Sequence, residues 1–429
     1  MSGSEVLDDL LERGLVHDST DRGELRVRLD EGPVAVYAGF DPTSDSLQVG
    51  NLVPLILLRR FQLHGHRPIA LAGGATGMIG DPSGKSDERN LLDDEALTQN
   101  LAAVKSQLER LLDFEGGANP ALLVDNRDWT ASMSYLDFLR DVGKHMTVQQ
   151  MLAKESVKNR VASASGISYA EFSYMLLQAF DFRHLNLHMG CELQVGGSDQ
   201  WGNITAGIDL VRKTTGVAVH GLTVPLLTDN SGHKLGKTAA GAIYLSRDRT
   251  PVDTFYQYFV NLGDSEVERV LLQLTLLPVE EIRQVMAQHE VAPEKRLAQR
   301  TLARAMTELV HGAEAADRAD AASRLFTATT SGLSMSDLDA LSLEIPTSHL
   351  DRLRLADGID LVDLLAETGI TQSKGEARRL LSQAGISVND ETQTGTRRID
   401  EEDLLHGAYL LIRRGKRNRH LIAVHQETP

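Results

Sequence analysis

A single cysteine, Cys191, stands among 429 residues; an internal disulfide is thereby excluded, and so is any zinc site built on paired cysteines. A reducing, cytoplasmic setting is the simplest one compatible with that count. No apolar run reaches the roughly 18 residues of a membrane span, so no membrane partner is expected. The first fourteen residues set Glu5, Asp8, Asp9 and Glu12 among Val6, Leu7, Leu10 and Leu11, which predicts an acidic amphipathic helix and not a basic, apolar export signal. Basic residues are also scarce, 44 against 60 acidic for a net charge of -16. That balance argues against nucleic acid as a partner of the surface as a whole. No internal repeat occurs. What is present is 41% hydrophobic and 24% charged residues, enough chain for two or three domains.

The average charge hides an asymmetry. Residues 371–429 carry ten Lys or Arg against eight Asp or Glu, while residues 1–370 carry 34 against 52. The basic residues of the tail cluster at Arg378 and Arg379 and again at Arg413, Arg414, Lys416, Arg417 and Arg419. Such clusters serve either as a solvated face or as a contact for phosphates.

Along the chain, Val34–Asp41 reads as a buried strand that turns at Pro42 and Thr43. Leu52 to about His64 has helical periodicity, with Pro54 in its first turn. Pro68–Ala72 predicts a second strand, ending at Gly73-Gly74. Strand, helix, strand within about 45 residues is the unit of a parallel sheet, and a helix over Asp94–Leu112 with a strand over Ala121–Val124 extends it. The expected fold class is α/β: a Rossmann-like parallel-sheet domain over 1–249, an all-helical domain over 250–340, a linker over 341–358 and a small α+β domain over 359–429.

Four segments offer chemistry. Asp41-Pro-Thr-Ser-Asp-Ser-Leu-Gln-Val-Gly-Asn51 joins a strand's C-terminal end to a helix start, where N–H groups and the helix dipole favour a phosphate; an ordinary turn has the same composition. The glycine-dense Gly73–Gly84 follows neither the dinucleotide fingerprint nor the phosphate loop ending in Lys-Ser/Thr, which excludes nicotinamide and P-loop readings. It is either a long loop or a backbone that approaches a ligand, with Asp81 as a carboxylate for an amine and Lys85 and Arg89 downstream as phosphate contacts. Tyr174, Gln178 and Asp181 fall at i, i+4 and i+7, on one face of a helix, either as a polar edge or as a pocket wall for a ligand bearing an amine and a hydroxyl. Asp229–Thr238 places Lys234 and Lys237 around a glycine with Thr238 next, which is either a solubilising loop or a cationic hairpin that closes on a triphosphate and neutralises a leaving pyrophosphate.

Together these segments resemble bacterial tyrosyl-tRNA synthetases, which are class I aminoacyl-tRNA synthetases. The resemblance extends over essentially the whole chain. It is carried by Tyr37-Ala-Gly-Phe-Asp-Pro-Thr43, Gly73-Gly-Ala-Thr-Gly-Met-Ile-Gly-Asp-Pro82, Gly196-Gly-Ser-Asp-Gln-Trp-Gly-Asn203 and Lys234-Leu-Gly-Lys-Thr238. It implies that Tyr37 and Asp181 hold the phenol of L-tyrosine, that Asp81, Tyr174 and Gln178 hold its ammonium, and that Gln200 lies near its carboxylate. Gly39, Asp41, Gly50, Asn51, Gly197 and Asp199 would contact ATP or the adenylate. Thr43, Gln48, Lys85, Arg89, Lys234, Lys237 and Thr238 would serve the pyrophosphate. The resemblance implies ATP as substrate, Mg²⁺ carried with it, no tightly bound protein-ligated metal, tRNA(Tyr) as acceptor and a homodimer.

One departure stands out: the signature His-x-Gly-His appears here as Gln48-Val-Gly-Asn51. A glutamine amide still donates a hydrogen bond but cannot become cationic, so activity is expected to survive with weaker pyrophosphate stabilisation. From about Ile359 to Val424 the chain resembles a small RNA-binding domain shared with a small-subunit ribosomal protein and pseudouridine synthases. There Lys374, Arg378, Arg379, Arg413 and Arg414 would meet tRNA phosphates while the acidic body limits nonspecific RNA binding. Two rival readings are a tryptophanyl relative, opposed by the pairing of Tyr37 with Asp181, and a non-catalytic RNA-binding paralogue, opposed by Lys234, Lys237 and Asp81. A third, a duplicate enzyme that tolerates a tyrosine-mimicking inhibitor, has only Gln48 in its favour.

Overall fold

The computed structural model describes residues 3–83, 94–162, 166–229, 232, 234–238, 241–327, 330–356, 358–415 and 418–425. Lys85 and Arg89 lie outside the described residues, as do Lys416 and Arg417. The chain divides into two compact units, Met1–Ala316 and Asp317–Pro429.

The first unit is built on five parallel strands, β1 (Ala35–Phe40), β2 (Arg67–Ala72), β3 (Leu122–Asp125), β4 (Cys191–Gly197) and β5 (His220–Val224), in the order β3-β2-β1-β4-β5. β1, β2 and β5 are near-continuous small and apolar runs, as strands covered on both faces must be, and Val36, Ile69, Ala70 and Leu222 are fully buried. β1 sits between β2 and β4, so the chain's direction of travel across the sheet reverses there. In such sheets the crevice opens at the C-terminal ends of the strands. Helices cover the sheet: Leu52–Leu63, Asp94–Leu111, Tyr169–Met189 and Trp201–Thr215. Tyr169–Met189 is capped at its start by Ser168 Oγ, which accepts from Glu171 N at 3.2 Å, and the chain leaves it through Gly190. The helix Arg22–Asp30, nucleated by the Asp21 carboxylate on Gly23 and Glu24 N–H groups at 2.8 and 3.0 Å, has too weak an apolar stripe to be read from sequence. The unit also holds the amphipathic helix Glu5–Glu12, short helices between Arg127 and Val161, and the helices Val252–Val260, Asp264–Leu274, Val279–Val291 and Leu297–His311.

The second unit carries a mixed sheet in the strand order 391–393, 386–388, 409–414, 418–425, 347–351. The span 341–358, expected as a linker, supplies its edge strand: Thr347–Asp351 pairs in parallel with Leu421–His425, burying Leu350. The helices expected over 250–340 continue to Glu344, and this strand follows directly. The basic helix Lys374–Ser382 packs Ala377 and Leu381 into the same core as Leu361, Ile386 and Ile412. Among the described residues no helix is long and apolar enough to cross a membrane.

Candidate active site

A cavity of about 350 Å³ opens where β1 and β4 end. Its closed end is set by β1. Tyr37 projects from mid-strand opposite Gln194 of β4, packs its ring 5.3 Å from Phe182 and is 1% exposed. Its hydroxyl has no hydrogen-bond partner among the described residues. Burial first, and then the neighbouring Asp181 and Cys191, hold that phenol protonated, well above its usual range, so it is available as a donor. Asp181, 2% exposed, accepts from Asn126 Nδ2 at 2.9 Å and Trp129 Nε1 at 2.8 Å. Burial nevertheless outweighs those two donors and pushes its carboxyl up to about 7. A protonated donor and a carboxylate acceptor thus share one dry end of the cavity.

The middle of the cavity is a network of side chains drawn from the helix Tyr169–Met189, the start of Trp201–Thr215 and the loops that follow β1, β2, β3 and β4. Tyr174 Oη donates to Asp41 Oδ2 at 2.8 Å and Thr76 Oγ1 donates to Asp41 Oδ1 at 2.7 Å. Asn126, whose carbonyl accepts from Ala75 N at 2.7 Å, donates 3.0 Å to Thr76 as well. This knot explains the glycine density after β2: a Cβ at Gly73 would land on Asp41 Oδ1 and Thr76 Oγ1. Asp81 Oδ2 accepts from Gln200 Nε2 at 2.6 Å, and Asn203 Nδ2 donates to Gln178 Oε1 at 3.0 Å. Gln178 in turn reaches Gln200 Oε1 at 3.3 Å. Asp81 Oδ2 and Gln178 Oε1 each accept one of these bonds and retain a further lone pair for a ligand N–H.

The mouth has a different character. Gly39, Asp41, Thr43, Gln48, Gly50 and Asn51 line one side. Asn51 Oδ1 accepts from Gln48 N at 2.9 Å, which leaves the Asn51 amide group as a donor. Gly197, Asp199, Lys234 and Lys237 line the other side, with Lys234 Nζ 3.3 Å from Asp199 Oδ2. The two sides are sewn together by backbone: Val49 N donates to Ile243 O at 3.1 Å and Leu245 N to Leu47 O at 2.8 Å. Thr238 pairs with Gly241 beside Lys237.

The structure therefore brings Tyr37, Asp81, Tyr174, Gln178, Asp181 and Gln200 to one cavity, together with the glycine, asparagine and lysine residues of its mouth. Thr76, Asn126, Trp129, Gln194 and Asn203 also belong to the site, beyond the residues expected from the sequence. Gln194 was findable as the one amide in the apolar run of β4; its Oε1 has no partner among the described residues. Asn126 and Trp129 follow β3 with no local pattern to mark them. In the second unit Arg378 and Arg379 are exposed, whereas Lys374 pairs with Asp363 at 2.9 Å and Arg414 with Glu376 at 2.8 Å. Among the described residues no three His, Cys, Asp or Glu are grouped to hold a metal.

Residues 29–328 match the profile of the tRNA synthetases class I (W and Y), and residues 337–422 that of the tyrosine–tRNA ligase SYY-like C-terminal domain. The chain is 53% identical to the tyrosine–tRNA ligase of Opitutus terrae over 98% of its own length and 99% of that protein. It is 44% identical to tyrosine–tRNA ligase 1 of Bacillus subtilis, over 98% and 99%. Among solved structures it is similar to a C-terminally truncated mitochondrial tyrosyl-tRNA synthetase of Aspergillus nidulans, with a TM-score of 0.68 and 34% identity over 74% of this chain and 93% of that one. The chain belongs to the tyrosine–tRNA ligases of class I.

Proposed function

We infer that the cavity activates L-tyrosine with ATP, releasing pyrophosphate, and that the tyrosyl group of the adenylate then passes to the 3′-terminal adenosine of tRNA(Tyr). The observation that carries this reading is the pair at the closed end, the unpartnered buried hydroxyl of Tyr37 and the carboxyl of Asp181. A phenol both donates and accepts: it donates to Asp181 and accepts from Tyr37. An indole has only a donor and leaves Tyr37 unpaired, while a phenyl ring leaves both groups unpaired. Rejection of such analogues by unpaired buried polar groups is a behaviour for which this enzyme family is the reference case.

The substrate ammonium lies among Asp81, Gln178 and Tyr174, whose hydroxyl proton is committed to Asp41 so that its oxygen accepts. Held at both ends, the tyrosine presents its carboxylate to the mouth. That carboxylate is already a nucleophile at neutral pH, so no general base is needed. An oxygen of the carboxylate bonds to the α-phosphorus of ATP as the bond to the β-phosphate oxygen breaks, and the electron pair leaves with pyrophosphate. Positioning and charge stabilisation supply the acceleration. Lys234 and Lys237 meet the departing phosphates, with Thr43, Gln48 and Asn51 opposite as neutral donors; Mg²⁺ enters as part of the ATP complex.

The protein works in the cytoplasm, where a lone buried thiol is not oxidised, and as a homodimer. The segment 135–169 supports a second copy: it exposes Tyr135, Leu136, Val148, Leu152, Val161 and Tyr169. Arg378, Arg379 and Arg413 meet tRNA phosphates. ATP–pyrophosphate exchange measured across the amino acids tests the reading: exchange with tyrosine alone is expected, and exchange with tryptophan or with none contradicts it.

A further inference from the structure

The two lysines at the mouth are held by a part of the molecule that does not line the cavity. Between them Gly236 has a φ of +88°, a left-handed conformation that only glycine adopts without strain. Its carbonyl accepts from Ile243 N at 2.7 Å, and its N–H donates 2.7 Å to Tyr258 Oη. Tyr258 stands on the helix Val252–Val260, its ring 5.1 Å from that of Phe259. Burial raises its phenol to about 12, so it remains a hydroxyl throughout the working range. A second tie comes from the next helix, where the Arg269 guanidinium donates to the carbonyl of Thr228, the bridge partner of Lys234. Both ends of the turn that carries Lys234 and Lys237 thus rest on side chains of the helical segment. The turn itself packs against the signature segment: a Cβ at Gly236 would come within 3.0 Å of Val49 Cβ.

We propose that Tyr258 is a positioning residue for adenylate formation, its hydroxyl holding the Gly236 backbone so that Lys234 and Lys237 face the pyrophosphate, with Arg269 as the companion tie. Tyr258 touches no substrate and acts through the lysine turn. The bond to Gly236 also makes the helical segment a structural input to the rate of the first step. Charge stabilisation of a leaving group depends on placement within about half an ångström, so loss of one tie appears in turnover and not in tyrosine binding. The inference rests on the reading of the cavity as the adenylate-forming site.

Tyr258→Phe removes only the hydroxyl and keeps the ring. In the full-length protein it is expected to lower kcat for tyrosine-dependent ATP–pyrophosphate exchange about 10-fold, while the Kd for tyrosine measured without ATP stays at the wild-type value. The decisive readout is a double-mutant cycle: in a Lys234→Ala, Lys237→Ala background the same substitution changes kcat by less than about 2-fold, because the groups it positions are gone. A wild-type kcat in Tyr258→Phe overturns the proposal, and so does a 10-fold loss that persists in the lysine-free background. If Tyr258→Phe lowers the melting temperature, Arg269→Met carries the same cycle, and absence of coupling there also overturns it. Wild-type protein without tyrosine-dependent exchange would instead refute the reading of the cavity itself.

Discussion

The two ends of the cavity are built on opposite plans. At the closed end, groups are buried, carried on a fixed strand and helix, and shifted in acidity by the absence of water: Tyr37 is 1% exposed and Asp181 2%. At the mouth the functional side chains are partly exposed, with the Lys234 side chain 44% accessible, and order comes from backbone bonds at Val49, Leu245 and Gly236. Selectivity requires a fixed, dry set of partners that penalises a wrong ligand. Charge stabilisation requires cations that are present in one step and release the product afterwards. If the cavity acts as proposed, the difference teaches that choice of amino acid and rate of activation are governed by separate sets of residues.

The largest effect that would sharpen this contrast is expected at the mouth. Lys234→Ala or Lys237→Ala should each lower kcat for pyrophosphate exchange by roughly 10²-fold with tyrosine affinity unchanged, as read by equilibrium binding without ATP. At the closed end, Asp181→Asn removes a charged acceptor and should weaken tyrosine binding by about 10- to 100-fold.

Its pH dependence follows from the direction of the shift. The Asp181 carboxyl lies at about 7 in the folded protein against an ordinary value of 3.8. Below about pH 4 it is protonated in both states and costs nothing. Between about 4 and 7 the unfolded chain ionises while the folded one does not, and stability is lost. Thermal melts of the tyrosine-free protein should therefore show Asp181→Asn gaining on wild type as pH rises through that window and holding a constant lead above it. Tyrosine binding by wild type should weaken as pH falls below 7, since the phenol donates to the carboxylate form, and binding by Asp181→Asn should be flat.

A smaller effect is expected at the signature position, where Gln48→His should leave exchange unchanged or raise it by up to about 10-fold. A fall would mean that glutamine is the better residue in this mouth. In the second unit, Arg413→Gln should reduce the slope of log K against log salt for tRNA binding by about 1 and leave pyrophosphate exchange untouched. Arg413 lies directly across from Arg419 on paired strands, a like-charge arrangement that costs stability and suits an anionic partner.

Much of the cavity was legible because local pattern and final geometry coincide. The i, i+4, i+7 spacing of Tyr174, Gln178 and Asp181 needs only a helix to put them on one wall. The glycine density after β2 signals a close approach wherever the chain goes next, although what approaches is the Asp41 carboxylate with Thr76 and not only a ligand. Asn126 and Trp129 were illegible for the complementary reason: both follow β3 with no local pattern and acquire meaning only when that strand end meets Asp181 of the helix Tyr169–Met189. The same holds for Thr347–Asp351, whose polar, short sequence reads as a linker until the last strand, some 70 residues later, supplies its pairing partner. The ties of Tyr258 and Arg269 to the lysine turn are likewise tertiary facts with no sequence signature.

The separation of choice from rate is tested most directly by measuring kcat/KM for tyrosine and for phenylalanine in Tyr37→Phe and Lys234→Ala side by side. The account predicts that Tyr37→Phe narrows the ratio between the two amino acids while nearly preserving kcat with tyrosine. It predicts that Lys234→Ala lowers both activities by the same factor and leaves the ratio intact. A ratio that moves in Lys234→Ala, or one that stays put in Tyr37→Phe, would contradict it.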